Sequence, residues 1–98
     1  MTFRVVFRRA ALEDFEEAAL WYEGQRAGLG EEFAAEIDAA VERAADDPHR
    51  FPVAQGEIRR SVARRFPFSV YYRIRGNRIV VLAVFHARRD PNVWQRRT

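Results

Sequence analysis

The sequence contains no cysteine, so no disulfide can staple the chain and cysteine-based metal sites are excluded. It contains no lysine either: all 17 basic residues are arginine. Arginine's planar fork suits bidentate bonding to phosphate or carboxylate, although a GC-rich genome yields the same usage. No uninterrupted apolar stretch approaches the ~20 residues of a membrane-spanning helix. Residues Met1 to Arg8 have no long apolar region behind a basic start, so no signal peptide is expected and the protein is read as cytoplasmic. Acidic residues are scarce in one half only. Residues 50–98 hold 2 acids (Glu57, Asp90) against 12 arginines, a net of +10. Residues 1–49 hold 12 acids against 5 arginines, a net of −7, so the overall +3 hides a divided chain. Either the halves neutralise each other across the fold, or the second half faces a polyanion or an acidic partner. Two distant histidines and scattered carboxylates offer no metal-ligand spacing, and no cofactor is expected.

What is present suits one small domain: 98 residues, 48% of them hydrophobic. Phe3 to Phe7 is a short apolar run that predicts a first strand. From Ala10 to about Gln25 the period becomes helical, with Ala11, Leu12, Phe15, Ala18, Ala19 and Tyr22 in one arc and the glutamates elsewhere. Leu20 and Trp21 lie off that arc. Three glycines between Gly24 and Gly30 break the helix, and a second runs from about Glu31 to Asp46 on a stripe of Phe33, Ala34, Ile37, Ala40, Val41, Ala44 and Ala45, stopped by Pro48. The two form an antiparallel hairpin.

The remainder predicts sheet. Glu57 to Ala63 is a weak candidate strand because of its polarity. Phe68 to Ile74 alternates, placing Phe68, Val70, Tyr72 and Ile74 on one face, so that Tyr71 and Tyr72 point in opposite directions. Gly76-Asn77 forms a turn, and Arg78 to Phe85 returns as a β-branched strand apolar enough for both its faces to be covered. The tail from His86 reads as basic and irregular. The fold expected is α+β: an N-terminal strand and a two-helix antiparallel hairpin packed on a small, mainly antiparallel twisted sheet. The face opposite the hairpin remains open for function.

This order resembles the RelE/ParE superfamily of bacterial toxins over essentially the whole chain. The resemblance rests on Phe66-Pro67-Phe68, the strand ending Tyr72-Arg73-Ile74, and the tail His86-Ala87-Arg88-Arg89-Asp90-Pro91-Asn92-Val93-Trp94. Ala11-x-x-Asp14-Phe15 and Asp47-Pro48 also fit. It implies the toxin of a type II toxin–antitoxin module, neutralised by a cognate antitoxin whose C-terminal segment wraps the toxin. It also implies one of two targets: ParE-like members poison DNA gyrase, whereas RelE-like members cut mRNA on the ribosome.

Cleaving RNA requires a base, an acid and cations beside the phosphate. At the position of the central phosphate-binding arginine of RelE-like enzymes this chain has Ser69, and at their tyrosine position Trp94, which offers no usable acid or base. Arg88 matches their second arginine. These losses favour the ParE-like, non-nuclease reading. The alternative nuclease would use His86, the credible titrating group in this half, with Arg88, Arg64, Arg65 and Tyr72. In either case Arg59, Arg60, Arg64, Arg65, Arg88, Arg89 and Trp94 form the candidate surface for target or antitoxin, with Trp94 expected more often to pin the tail against the sheet and Tyr72 to pack with Phe68, Val70 and Ile74. Leu20 and Trp21 mark a second contact, to antitoxin or to another copy in a homodimer or larger assembly.

Overall fold

The N-terminal apolar run forms strand β1 (Arg4–Phe7) and leads directly into helix α1 (Arg9–Gln25). The computed structural model describes residues 2–97. Within α1, Ala11 is fully buried and Phe15, Ala18, Ala19 and Tyr22 pack on the core, as the helical period predicts. Leu12 does not: it sits at the margin of the apolar stripe and is 44% exposed. Helix α2 (Leu29–Asp46) starts two residues before the expected Glu31 because an unforeseen cap holds it. The Glu23 carboxylate accepts the backbone N–H of Gly28 at 2.9 Å and of Gly30 at 3.0 Å, satisfying amides that helix geometry leaves without partners. Gly28 turns the chain with φ 87°, and Gly30 lets the helices touch: a Cβ there would lie 2.6 Å from the Ala19 carbonyl. Pro48 ends α2 and opens a 3-10 turn, Pro48–Arg50.

Four strands follow: β2 (Val53–Gln55), β3 (Ile58–Val62), β4 (Phe68–Arg75) and β5 (Arg78–His86). They join β1 in one sheet of order β1-β5-β4-β3-β2, in which β1 runs parallel to β5 and every other pair is antiparallel. Strand β2 is not predicted by the sequence. Three residues next to Pro52 show no period and become a strand only by pairing with β3.

The hairpin covers one face of the sheet, hereafter the inner face. Phe33, Ile37, Ala40 and Ala44 of α2 meet Val70, Tyr72, Ile79 and Val81, and the Ser61 hydroxyl donates to the Ala40 carbonyl at 2.9 Å. An aromatic cluster closes one end, with Tyr22 4.9 Å from Phe66 and Phe33 4.9 Å from Phe68. Strand β5 is buried on both faces, as its composition predicts. Its alternation, however, is interrupted. Tyr71 lies opposite Ala83 and Tyr72 opposite Val81, so Leu82 is an extra residue, a β-bulge. Ile79, Val81 and Val84 face the helices, while Val80, Leu82, Ala83 and Phe85 face the other way.

The outer face is covered in part rather than left fully open, and Trp94 pins the tail to it, as expected. The tail folds back over it and forms a short helix, α3 (Asn92–Gln95), that places Trp94 on Tyr71 with ring centroids 4.0 Å apart and planes at 20°. Trp94 is 3% exposed and completes a second core with Ile58, Val80, Leu82, Ala83 and Phe85. The tail read as irregular is therefore structural in its last turn.

Candidate functional site

Cross-strand neighbours share a face of the sheet, which sorts the basic residues of β3. Arg60 pairs with Tyr71 and faces outward; Arg59 pairs with Tyr72 and faces the helices. Arg59 therefore leaves the predicted cluster. Its Nη1 donates to the carbonyls of Phe51 at 2.6 Å and His49 at 3.1 Å, clamping the turn after α2. Arg60, Tyr71, Phe85, His86, Arg89 and Trp94 line a cleft of about 380 Å³ on the outer face. Arg89 stacks over the Phe85 ring at 4.3 Å.

The remaining predicted residues divide further. Arg65 adopts a left-handed φ of 68° in the β3–β4 loop and turns back onto α2, where it bonds Glu32 at 2.6 Å and approaches Glu36 at 4.0 Å. Hydrogen bonds from Arg65, and then from Arg26, hold the Glu32 carboxyl below its usual range. Arg64 and Arg88 lie at the same end of the sheet, since the Ala87 amide donates to the Pro67 carbonyl, and both side chains are exposed. Neither side chain has an ion pair or hydrogen bond among the described residues.

Tyr72 is fully buried, and its hydroxyl donates to the Pro48 carbonyl at 2.7 Å. Burial pushes the hydroxyl up to about 12. It sits on the inner face and contributes nothing to the outer cleft. His86 ends β5 at the boundary between the two faces, its ring edge-on to Phe68 at 5.2 Å. Its Nδ1 accepts the Arg88 amide at 3.0 Å, which leaves Nε2 to carry the proton of the neutral ring. The five residues of the nuclease alternative are thus not assembled: Tyr72 is inside, Arg65 is on α2, and His86, Arg64 and Arg88 share one rim.

Two residues outside the predicted set organise this region. Strand β1 stops opposite Val81, so the end of β5 has a free edge, and Asp14 of α1 accepts the Val84 amide there at 3.1 Å. Arg97 closes on the same carboxylate with both terminal nitrogens, at 2.6 and 3.2 Å, and donates to the Leu82 carbonyl at 3.2 Å. Asp14 is marked in the sequence by the Ala11-x-x-Asp14-Phe15 motif and as an acid beside the apolar arc of α1, but not as a site residue. Nothing marked Arg97 among the tail arginines. Leu20 and Trp21 are exposed on α1, at 73% and 61%, as their position off the arc predicts. Among the described residues no three His, Asp or Glu side chains gather where they would hold a metal, and no helix is long and apolar enough to cross a membrane.

No curated protein matches the chain. Among solved structures, it is similar to one described as the chromosomal ParDE toxin–antitoxin system of P. aeruginosa. That match has a TM-score of 0.76 and 18% identity, covering 87% of this chain and 96% of the other. It is also similar to one described as the toxin–antitoxin complex RelBE2 of Mycobacterium tuberculosis, with a TM-score of 0.61 and 21% identity over 88% of this chain and 99% of the other. At these identities the likeness concerns the fold. The family is decided by sequence: the family model described as the ParE toxin of the type II toxin–antitoxin system parDE matches residues 5–91. With most of its length matched in this way, the chain belongs to the ParE family of type II toxins.

Proposed function

We propose that this protein is a non-nuclease, ParE-like toxin that acts on DNA gyrase in the cytoplasm and is held inactive by a cognate antitoxin. The observation that carries the reading is the state of the aromatic groups an RNA-cleaving site would need. Trp94 is stacked and buried on Tyr71, Tyr72 is bonded to a backbone carbonyl, and Ser69 stands where a phosphate-binding arginine would be. Among the side chains that line the outer cleft, His86 is the one imidazole. What the cleft offers is positive charge from Arg60 and Arg89, with Arg64 and Arg88 at its end of the sheet. An acidic antitoxin segment crossing this surface would neutralise it and associate quickly.

A RelE-like endoribonuclease is the second reading. It is favoured by His86, whose Nε2 is left free at a rim shared with Arg64 and Arg88. Induction of the gene without its antitoxin separates the two, with mRNA integrity and the DNA damage response followed together. A damage response with intact mRNA, unchanged by His86→Ala, supports gyrase poisoning. Ribosome-dependent mRNA cleavage that His86→Ala abolishes while the protein stays folded establishes the nuclease instead.

A further inference from the structure

The flank of α1 that faces away from α2 carries chemistry opposite in sign to the outer cleft. Glu13, Glu17 and Trp21 follow one another at four-residue spacing, with Glu16 and Leu20 on the adjoining row. Between this flank and the ends of β4 and β5 runs a groove of about 280 Å³ floored by Ala18, Tyr22, Phe68 and His86 and walled by Trp21. The depression continues past Glu17 and Asp14 towards Arg89.

Three features make this groove a docking surface. First, Leu20 and Trp21 are the two most exposed large apolar side chains of the described residues. Trp21 lines the groove beside Ala18, Tyr22 and Phe68, so water there wets a continuous apolar strip, while Leu20 stands on the neighbouring row outside it. Second, Glu13, Glu16 and Glu17 engage no ion pair or hydrogen bond among the described residues, in a chain with 17 arginines. Glu23, Glu32, Glu36 and Glu57 have partners, while Glu31 and Glu42 of α2 are, among the described residues, unpaired like these three. Like charges four residues apart on a helix are mildly destabilising, a cost that a cationic partner would reverse. Third, the groove is closed at its floor by packed core residues, so an entering side chain meets a formed wall.

We propose that this groove binds an amphipathic segment of a partner protein that seats one leucine- or phenylalanine-sized side chain beside Trp21 and sets Arg or Lys residues against Glu13 and Glu17. The occupant is defined by charge complementarity: an apolar anchor with basic flanks, laid along α1. A segment of this kind is the opposite of the acidic one that suits the outer cleft. The two surfaces therefore accept different segments, although they meet at His86, which lines both. This assignment goes beyond the target reading and holds for either target.

The test uses two synthetic helical peptides with the same leucine stripe, one with arginine and one with glutamate on the polar face. Each is titrated into the full-length, nitrogen-15-labelled protein, with the Trp21 indole signal as reporter and Trp94 as internal control. The arginine peptide should shift Trp21 and His86 and leave Trp94 unmoved. Trp21→Ala should weaken binding at least about tenfold, the loss of an anchor side chain. Glu13→Gln with Glu17→Gln should weaken it about threefold or more and remove its salt dependence. Both variants change exposed positions, and unchanged circular dichroism and melting confirm that they fold. Equal binding of the glutamate peptide, shifts centred on Trp94 and Arg60, or no binding at millimolar peptide would overturn the proposal. So would a concentration-dependent dimer that Trp21→Ala abolishes, since the groove would then be a contact between copies of this chain.

Discussion

Arg97, the penultimate residue, reaches back to Asp14 in the first helix and grips its carboxylate with two nitrogens, at 2.6 and 3.2 Å. Asp14 in turn holds the Val84 amide at 3.1 Å, so one nearly buried carboxylate joins α1, the unpaired edge of β5 and the tail. Without the tail, Phe85 would lose two overlying cations, Arg89 at 4.3 Å and Arg97 at 5.5 Å.

Removing one member of such a pair strands the other. Asp14→Ala is expected to cost about 3 kcal/mol, because a half-buried guanidinium and a backbone amide lose their acceptor. Arg97→Ala should cost less, since its side chain is 20% exposed and the Val84 bond to Asp14 survives. Urea denaturation gives both values. Hydrogen exchange over residues 86–97 should accelerate in each variant; protection that persists in both would show that the bridge does not hold the tail.

The second core depends on Trp94. Trp94→Ala should destabilise by about 3 kcal/mol or more, the range for emptying a buried aromatic site. It should also abolish the near-ultraviolet dichroism of the Tyr71 stack. Trp94→Phe should retain most of the stability, because the stacking face is kept. A neutral alanine variant would mean that the tail covers the sheet without stabilising it.

Gly30 tests the helix contact. Alanine there places a methyl 2.6 Å from the Ala19 carbonyl, a backbone atom that cannot rotate aside. Gly30→Ala should lower stability by about 1–3 kcal/mol by forcing α1 and α2 apart, although alanine is the better helix former. Gly24→Ala, with nothing within 4 Å of the added carbon, serves as the control and should be neutral or stabilising. Equal melting temperatures for the two variants would refute the close contact.

Tyr72 makes stability fall in alkali. Its hydroxyl ionises at about 12 in the folded chain but near its ordinary 10.0 in the unfolded one. The contribution is thus complete below the unfolded value and is lost as pH rises between the two, where only the unfolded chain has released the proton. Tyr22, also raised by burial, acts in the same sense. Tyr72→Phe should cost about 1 kcal/mol at neutral pH through the lost bond to Pro48 and flatten the alkaline decline. Denaturation midpoints from pH 8 to 11 for both proteins decide it; parallel curves would assign the alkaline loss to other groups.

Much of the architecture was legible before any coordinate. Helical and strand periods are local properties, so the apolar stripes of α1 and α2, the alternation of Phe68, Val70, Tyr72 and Ile74, and the doubly covered β5 could be read from residue order. The exposure of Leu20 and Trp21 followed from the same period. Elements of three or four residues are too short to show a period, and β2 and α3 lack the continuous apolar run that revealed β1. The candidate surface was legible as a concentration of arginines but not as an arrangement. Arg59 and Arg60 are adjacent in sequence and opposite in space, and the positive φ of Arg65 carries its side chain to α2.

The division between chain and fold is sharpest at Leu82. Composition makes Arg78 to Phe85 a strand, and strict alternation would send Ile79, Val81, Ala83 and Phe85 to one face. The extra residue opposite the Tyr71–Tyr72 step reverses that order, so Phe85 turns out to meet the tail while Val84 turns in to the helices. Local sequence sets which residues favour strand, because side-chain shape and backbone torsion act over a few residues. Which face each residue meets beyond a bulge is settled only when β4, α1 and the tail are packed together, because register is a relation between segments far apart in the chain.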